Sequence, residues 1–418
     1  MGTNHKHAPI EVRERLWCRS ETLPNRLKFL TEGTVRESVI LSTCNRTEIY
    51  TFSTDSKAPF GVKKALSIWS GIDPNEMERY LYVLTGEHAV RHLIRVAAGL
   101  DSLAVGEQQI QEQVKQALRV ANRTGTSGRF LSELFKHADN AANNVRRGSG
   151  LETEPVSVSS AVTLLLRQLE AERKLHAILL VGAGKMISLA AEDLASLSGI
   201  EVWVANRTEQ RARNLADRVG GKAIGLSDIP AALEKADVVL TCTSSGDYII
   251  GTEELQKSTE HRQGKSLVVV DLAVPRNVNP DAKLIPGLRV YDIDDLAPFG
   301  EERGKSLQPK LEEAERLALE ETQNFHAHMR ANDANDLLRD LRKVAEEIRE
   351  KELSRALRKL GNVPNREKII LDLLTRRIVN KLLYEPTVRL KTHATNGDGE
   401  NYENLIRELF DIGRQSEQ

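Results

Sequence analysis

Ala177-Ile178-Leu179-Leu180-Val181-Gly182-Ala183-Gly184-Lys185-Met186-Ile187 joins a run of apolar residues to a glycine-alanine-glycine turn and the start of an apolar helix. An unbroken apolar run is the pattern of a strand buried on both faces. Glycines at its end let backbone N–H groups approach a pyrophosphate at a helix N-terminus. Strand-like runs follow at 201–205, 237–241 and 267–271, with a helical pattern from about 208. That alternation predicts a parallel, doubly wound sheet, a Rossmann-type domain. Ile187 stands where the motif usually has a third glycine, which weakens the match on helix–strand packing and leaves the phosphate turn intact.

The end of the second strand selects the cofactor. Asn206-Arg207-Thr208, with Arg211 and Arg213 following, stands where an NAD site has an acidic residue for the ribose 2′-hydroxyl. A guanidinium and a hydroxyl suit a 2′-phosphate, so the reading is NADP over NAD. The cofactor-binding candidates are Gly182, Ala183, Gly184, Lys185, Met186, Ile187, Asn206, Arg207 and Thr208. A solvated basic loop capped by Thr208 is the plainer reading of the last three.

Upstream, Val39-Ile40-Leu41 and Ile49-Tyr50-Thr51-Phe52 read as short strands and 87–98, 107–124 and 129–147 as helices, a compact α+β domain. Val162, Leu165, Leu166 and Leu169 recur at helical spacing, predicting a connecting helix over 156–170 that packs on both neighbours. Downstream, Leu337, Leu341, Val344 and Ile348, continued loosely by Leu353, Leu357 and Leu360, form an apolar stripe that Gly361 and Pro364 interrupt. A long amphipathic helix with no sheet to cover must bury its stripe on another helix, which favours a dimerisation domain. Residues 392–400 have loop composition and are expected to be mobile. The fold class is therefore multidomain α/β: an N-terminal α+β catalytic domain over 1–150, a linker helix and Rossmann-type NADP-binding domain over 151–300, and a C-terminal helical dimerisation domain over 301–418.

A chain of 418 residues is too long for one core. Net charge is -1, which predicts no strong general affinity for nucleic acid. Lys+Arg against Asp+Glu runs 21 to 16 over 1–150, 16 to 21 over 151–300 and 22 to 23 over 301–418, so the first segment permits a polyanionic partner without requiring one. Cys18, Cys44 and Cys242 have no metal-ligand spacing and build no disulfide framework, which predicts a reducing compartment and no metal. With no signal-like segment and no apolar run of membrane-spanning length, the reading is a soluble protein with no membrane contact, cytoplasmic, or of the plastid stroma if the source is a plant and a transit peptide has been removed.

Ser42-Thr43-Cys44-Asn45-Arg46-Thr47-Glu48 puts a thiol at the end of an apolar strand with a guanidinium two residues on. A neighbouring cation favours the thiolate, and an arginine can hold a substrate carboxylate in a bidentate fork. Taken alone, Cys44 reads more readily as a small buried hydrophobe. Cys18 and Cys242 keep that reading. His88 and His92 share a helical face, and one of them is a proton-donor candidate near the thiol; a satisfied surface or core histidine is the equal alternative for His92 and the favoured reading for His88. The stretch Gly99 to Ile110 is dense in hydrogen-bonding groups around a glycine-bounded turn. Glu107, Gln109 and Gln113 can present polar groups to a ligand or sit as a solvated helix start.

With these residues the chain resembles the glutamyl-tRNA reductases over nearly its whole length. The resemblance lies in Asn4-His5-Lys6 with Ala8-Pro9, the cysteine heptapeptide, Gly99 to Ile110, the Gly182 turn with Asn206-Arg207-Thr208, Asp271-Leu272-Ala273-Val274-Pro275-Arg276, and Tyr291-Asp292-Ile293-Asp294-Asp295-Leu296. It implies reduction of glutamyl-tRNA(Glu) to glutamate-1-semialdehyde with NADPH through a Cys44 thioester, for 5-aminolevulinate and tetrapyrrole biosynthesis. It also implies an activity-critical His92 and an Arg46 that holds the substrate glutamate. Thr43, Asn45, Ser102, Glu107, Gln108, Gln109 and Gln113 fall at substrate-contact positions. A homodimer through the C-terminal helices and docking of glutamate-1-semialdehyde aminomutase are implied as well. A small-molecule NADP dehydrogenase of the shikimate type, which shares a related nucleotide domain, is the alternative. The family usually has an apolar strand before Gly-x-Asn-His-Lys and a threonine at position 7, where this chain has His7.

Overall fold

The computed structural model describes the chain except residues 34, 103–104, 154–157, 195–198, 244, 261, 263–264, 300–306, 397–398 and 413–418, and it leaves aside the side chains of 153, 193–194, 391, 394–396 and 399–401. Leu103 and Ala104 of the polar stretch therefore lie outside the described residues. Two compact units result, Met1–Leu319 and Glu320–Gln418.

The first unit opens with β1 (Gly2–Asn4), α1 (Ile10–Leu16), α2 (Leu23–Thr31), β2 (Glu37–Ser42) and β3 (Arg46–Phe52). The strands form an antiparallel sheet in the order β1-β3-β2. Ser42 pairs with Thr47, so the chain reverses over residues 43–46 with Cys44 in the turn. Apolar Val39, Ile40, Leu41 and Ile49 are almost wholly buried. Next come α3 (Ala58–Ser70), α4 (Pro74–Met77), α5 (Gly86–Ala97), α6 (Gln109–Thr124) and α7 (Arg129–Ser149), of which α6 and α7 pack on the sheet.

Helix α8 (Val158–Glu172) leads into β4 (Ala177–Val181), α9 (Lys185–Leu194), β5 (Glu201–Ala205), α10 (Glu209–Val219), β6 (Lys222–Ile224), α11 (Ile229–Leu233), β7 (Val238–Thr241), α12 (Thr252–Glu260), β8 (Leu267–Asp271) and β9 (Leu288–Asp292). The strands make one parallel sheet in the order β6-β5-β4-β7-β8-β9. Alternation explains the apolar runs. Ile178 and Leu180 join a core with Leu165 and Leu169 of α8, while Leu179 and Val181 join another with Ile229 and Leu233 of α11. Ile10 of α1 is inserted in the first of these cores, so the N-terminal segment is tied into the nucleotide-binding half by apolar burial of about 1.5–3 kcal/mol. Strand order reverses between β4 and β7, and ligands of such sheets bind in the crevice at the carboxyl ends of the strands there. Gly182 and Cys242 are the first residues past those two ends.

In the second unit, α13 (Gln308–Leu360, from Glu320 onward), α14 (Asn365–Asn396) and α15 (Gly399–Leu409) pack together. Leu337 and Leu341 are buried with Leu383, Leu390 and Ile406. The stripe opens further along: Ile348 is 58% and Leu360 62% exposed, beside exposed Ile369, Leu373 and Ile378 on α14. The expectation of a loop over 392–400 is corrected, since α14 continues to Asn396 and α15 begins at Gly399. Small polar residues extend a helix that Leu390 and Ile406 hold in place. Among the described residues no helix is long and apolar enough to cross a membrane.

Candidate active site

The reversal after β2 is held by Thr43. Its Oγ1 accepts the backbone N–H groups of Asn45 and Arg46, each at 3.2 Å, and its own N–H donates to the Arg46 carbonyl at 2.8 Å. Cys44, between them, is partly exposed and lines a cavity of about 500 Å³. The opposite wall carries Gly182, Ala183, Gly184, Lys185 and Met186, then Asn206, Arg207, Thr208 and Arg211, with Cys242 and Thr243 beyond the end of β7. The nucleophile candidate and the nucleotide turn thus share one space.

Glycine is required at position 182. Its φ is +115°, and a Cβ there would sit 2.4 Å from the Cys242 carbonyl oxygen. Gly184 has nothing within 4 Å of a built Cβ, which leaves its backbone open to a phosphate. Thr208 caps α10 by position, and Asn206 Nδ2 donates to the Thr208 carbonyl at 2.9 Å. These residues fit a dinucleotide. Ile187 is fully buried in the sheet core, where its side chain packs helix on strand. Arg213 pairs with Glu209 at 2.5 Å while Arg211 reaches the cavity, as helical spacing separates their directions.

Behind the turn lies a buried charge network. Glu48 accepts from Arg46 Nη1 at 2.7 Å, Tyr50 and Tyr82 hydroxyls at 2.5 Å each, and His92 Nε2 at 2.9 Å. Burial alone would raise its pKa, but Arg46, His92 and Tyr50 outweigh that and hold it well below the carboxylate range. Asp101 accepts from Arg46 Nη1 at 3.1 Å, Asn4 Nδ2 at 3.1 Å and Lys6 Nζ at 2.7 Å. There too burial is outweighed, by Arg46 and Lys6, leaving the pKa at about 2. Arg46 Nη2 donates to the Asp101 carbonyl. A buried guanidinium must be paired, and Arg46 spends three of its five N–H donors on Glu48 and Asp101. Among the described residues Asn45 Oδ1 and His5 Nδ1 are buried without a partner, polar atoms suited to a bound ligand.

The thiol differs from the expectation of a thiolate beside a cation. Burial first and Glu107 second push the Cys44 pKa up to about 12, against the weaker pull of Arg13 and Arg46. Glu107 is itself raised by burial to about 7, with Lys185 and Arg46 pulling it down. Its backbone is fixed by Gly99, where φ is +78° and a Cβ would lie 2.8 Å from the Glu107 nitrogen. Ser102 is buried, with its N–H on the Gly99 carbonyl at 3.4 Å. Gln108 is exposed at the N-cap of α6, and Gln109 and Gln113 lie half-buried on its first turns. His92 is placed at Glu48 and lines a second, largely apolar cavity of about 550 Å³ with Tyr82. His88, on the same helix, is exposed. His7 acquires a structural account: Nδ1 lies 2.7 Å from Asn4 Oδ1 and its ring packs on Tyr82.

Comparison with known proteins bears on this geometry. Residues 1–149 match the family model for the glutamyl-tRNAGlu reductase N-terminal domain, 164–299 that for shikimate / quinate 5-dehydrogenase, and 313–412 that for the glutamyl-tRNAGlu reductase dimerisation domain. Glutamyl-tRNA reductase from Syntrophotalea carbinolica is 35% identical over 100% of this chain and 95% of its own length. The chain belongs to the glutamyl-tRNA reductase family. Glutamyl-tRNA reductase from Alkalilimnicola ehrlichii is 38% identical over 100% of this chain and 93% of its own. The structure of glutamyl-tRNA reductase from Methanopyrus kandleri aligns with a TM-score of 0.52 at 27% identity, covering 98% of each chain. A glutamyl-tRNA reductase is an oxidoreductase, and its shikimate-type segment, a nicotinamide-cofactor domain, is one part of it. Sequence reasoning missed Glu48, Tyr82, Asp101 and Arg13. Glu48 carried a signal, since Arg46, Glu48 and Tyr50 alternate onto one face of a strand.

Proposed function

We propose that the protein reduces glutamyl-tRNA(Glu) to glutamate-1-semialdehyde with NADPH, through a thioester on Cys44, for 5-aminolevulinate and tetrapyrrole synthesis. One observation carries the reading: Cys44 lines the same cavity as the Gly182 turn and Arg207. NADPH, when bound, supplies a hydride. Backbone N–H groups of Ala183 and Gly184 and the ammonium of Lys185 would hold its pyrophosphate, and Arg207, Thr208 and Arg211 its 2′-phosphate.

The chain's own groups do the rest. Cys44 attacks the ester carbonyl and the ribose oxygen leaves, splitting one hard step into two. A thiol held protonated needs a base, and Glu107, titrating near neutrality and acting electrostatically on Cys44, suits that task. The two N–H donors of Arg46 not spent on Glu48 and Asp101, and Asn45 Oδ1, which has no partner among the described residues, suit the glutamate head group, with Ser102, Gln108, Gln109 and Gln113 around it. Thr43 shapes the turn, and His92 acts by holding Glu48 under Arg46.

We read the domains as 1–150 catalytic, 151–300 linker helix and NADP-binding, and 301–418 dimerising, in a cytoplasmic homodimer whose exposed α13–α14 face meets a second copy. Docking of an aminomutase would spare the reactive aldehyde from water, and failure to detect a complex at micromolar concentrations would count against it. The function is tested by NADPH oxidation. It should require charged tRNA and vanish in Cys44→Ser; unchanged oxidation in that variant, or turnover of a free hydroxy acid without tRNA, would overturn it.

A further inference from the structure

We propose that α1 is a two-point clamp that holds Cys44 against the nucleotide-binding half for the reduction step, with Arg13 as its positioning residue and Asp294 as the counter-charge. The inference rests on the function proposed above and adds a division of labour between its two steps.

Arg13 is 2% exposed and spends its donors in three places. Nε donates to the Ala8 carbonyl at 3.2 Å, Nη1 to the Cys44 carbonyl at 2.9 Å, and Nη2 to Asp294 Oδ1. One guanidinium therefore joins the backbone of the nucleophile to a carboxylate at the far end of the parallel sheet. A second contact runs with the charges reversed. Arg276, in the loop after β8, donates through Nη1 to Glu11 at 2.9 Å, and through Nη2 and Nε to Glu14 at 2.7 and 3.1 Å. Cation on α1 meets acid, and acid on α1 meets cation, so a slipped docking would oppose like charges.

Both counter-charges are anchored. Asp271 accepts the N–H groups of Asn277 and Val278 at 2.7 and 2.9 Å, fixing the segment that carries Arg276. Asp292 accepts the Asp294 N–H at 3.1 Å and is itself paired with Lys283 at 3.0 Å. The motifs around Asp271 and Asp292 thus serve the docking of α1.

The two steps need this docking unequally. Acylation forms the S–C bond of the thioester and breaks the bond between the acyl carbon and the ribose oxygen, and the thiol proton ends on that oxygen. Its groups lie on the first 150 residues. Reduction adds hydride to the thioester carbon and breaks C–S, releasing aldehyde, thiolate and oxidised cofactor. That step needs Cys44 in register with the other half.

The experiment uses the full-length protein, wild type, Asp294→Ala and the conservative Asp294→Asn. Acylation is followed without NADPH, by quenching with acid and weighing the glutamyl adduct on the Cys44 peptide. Reduction is followed in a single turnover by adding NADPH to the preformed adduct. Hydrogen exchange of the peptides covering 10–16 and 291–296 is recorded alongside. In Asp294→Ala, acylation should stay within about twofold while reduction falls on the order of ten- to a hundredfold, as displacement by an ångström can cost that much. Asp294→Asn should recover part of the loss, and exchange should rise in both peptides. Unchanged reduction, or equal losses in both steps, would overturn the clamp. If wild type forms no adduct, the proposed function falls and the exchange readout alone decides the clamp: a rise in Asp294→Ala supports it and no change overturns it.

Discussion

The two sides of the Cys44 turn are built on opposite principles. Behind it, Arg46, Glu48, Asp101 and His92 are buried and joined to one another by ion pairs and hydrogen bonds. In front, Cys44, Cys242 and Glu107 are pushed toward their neutral forms by burial, in or beside a cavity that leaves room for a ligand. A paired network of this kind is rigid because each member would be costly to unpair. An under-paired cavity keeps its groups in the state from which a proton or an acyl group can move. The difference teaches that the first side supplies position and the second supplies chemistry.

Four substitutions test that contrast. The largest effect on folding should come from Glu48→Gln, which leaves the buried Arg46 short of a counter-charge at a cost of about 3–5 kcal/mol in urea denaturation. A loss below about 1 kcal/mol would mean the network is not what holds the turn.

Glu107→Gln is next. A carboxyl whose folded pKa is raised to about 7 binds its proton more tightly when folded, so it stabilises the fold at low pH. That contribution fades as pH rises from the ordinary carboxylate value through about 7. The glutamine variant should flatten this part of the pH–stability curve, gaining on the order of 1–3 kcal/mol over wild type at pH 8. An unaltered curve would put Glu107 outside the cavity's electrostatics. The smallest effect should separate two arginines on one helical turn. Arg211→Ala should weaken NADPH binding by about tenfold with NADH unaffected. Arg213→Ala, whose partner is Glu209, should change neither.

The contrast also explains what could be read from the sequence. The parallel sheet was legible because its inner strands are buried on both faces and so are apolar without interruption, as in Ala177–Val181. Strand β6 begins at exposed Lys222, and β9, Leu288–Asp292, carries Arg289 on the sheet edge, so neither shows that pattern. Helix α14 ran past the polar residues after 391 because packing outweighed composition. Cys44, Arg46 and the Gly182 turn stood out as motifs. Their partners did not, because Asp101 lies 55 residues from Arg46 and Asp294 lies 281 from Arg13. The state of the thiol was misread for the same reason: the neighbouring arginine is visible in sequence, and the burial that outweighs it is a property of the fold.

The most direct test of the central claim is to mix the protein with glutamyl-tRNA(Glu) in the absence of NADPH and identify the adduct by peptide mass. The account predicts a glutamyl group on Cys44 that is absent in Cys44→Ser and disappears as aldehyde when NADPH is added. A glutamyl group on Cys18, on Cys242 or on no residue, with reduction still proceeding, would contradict it.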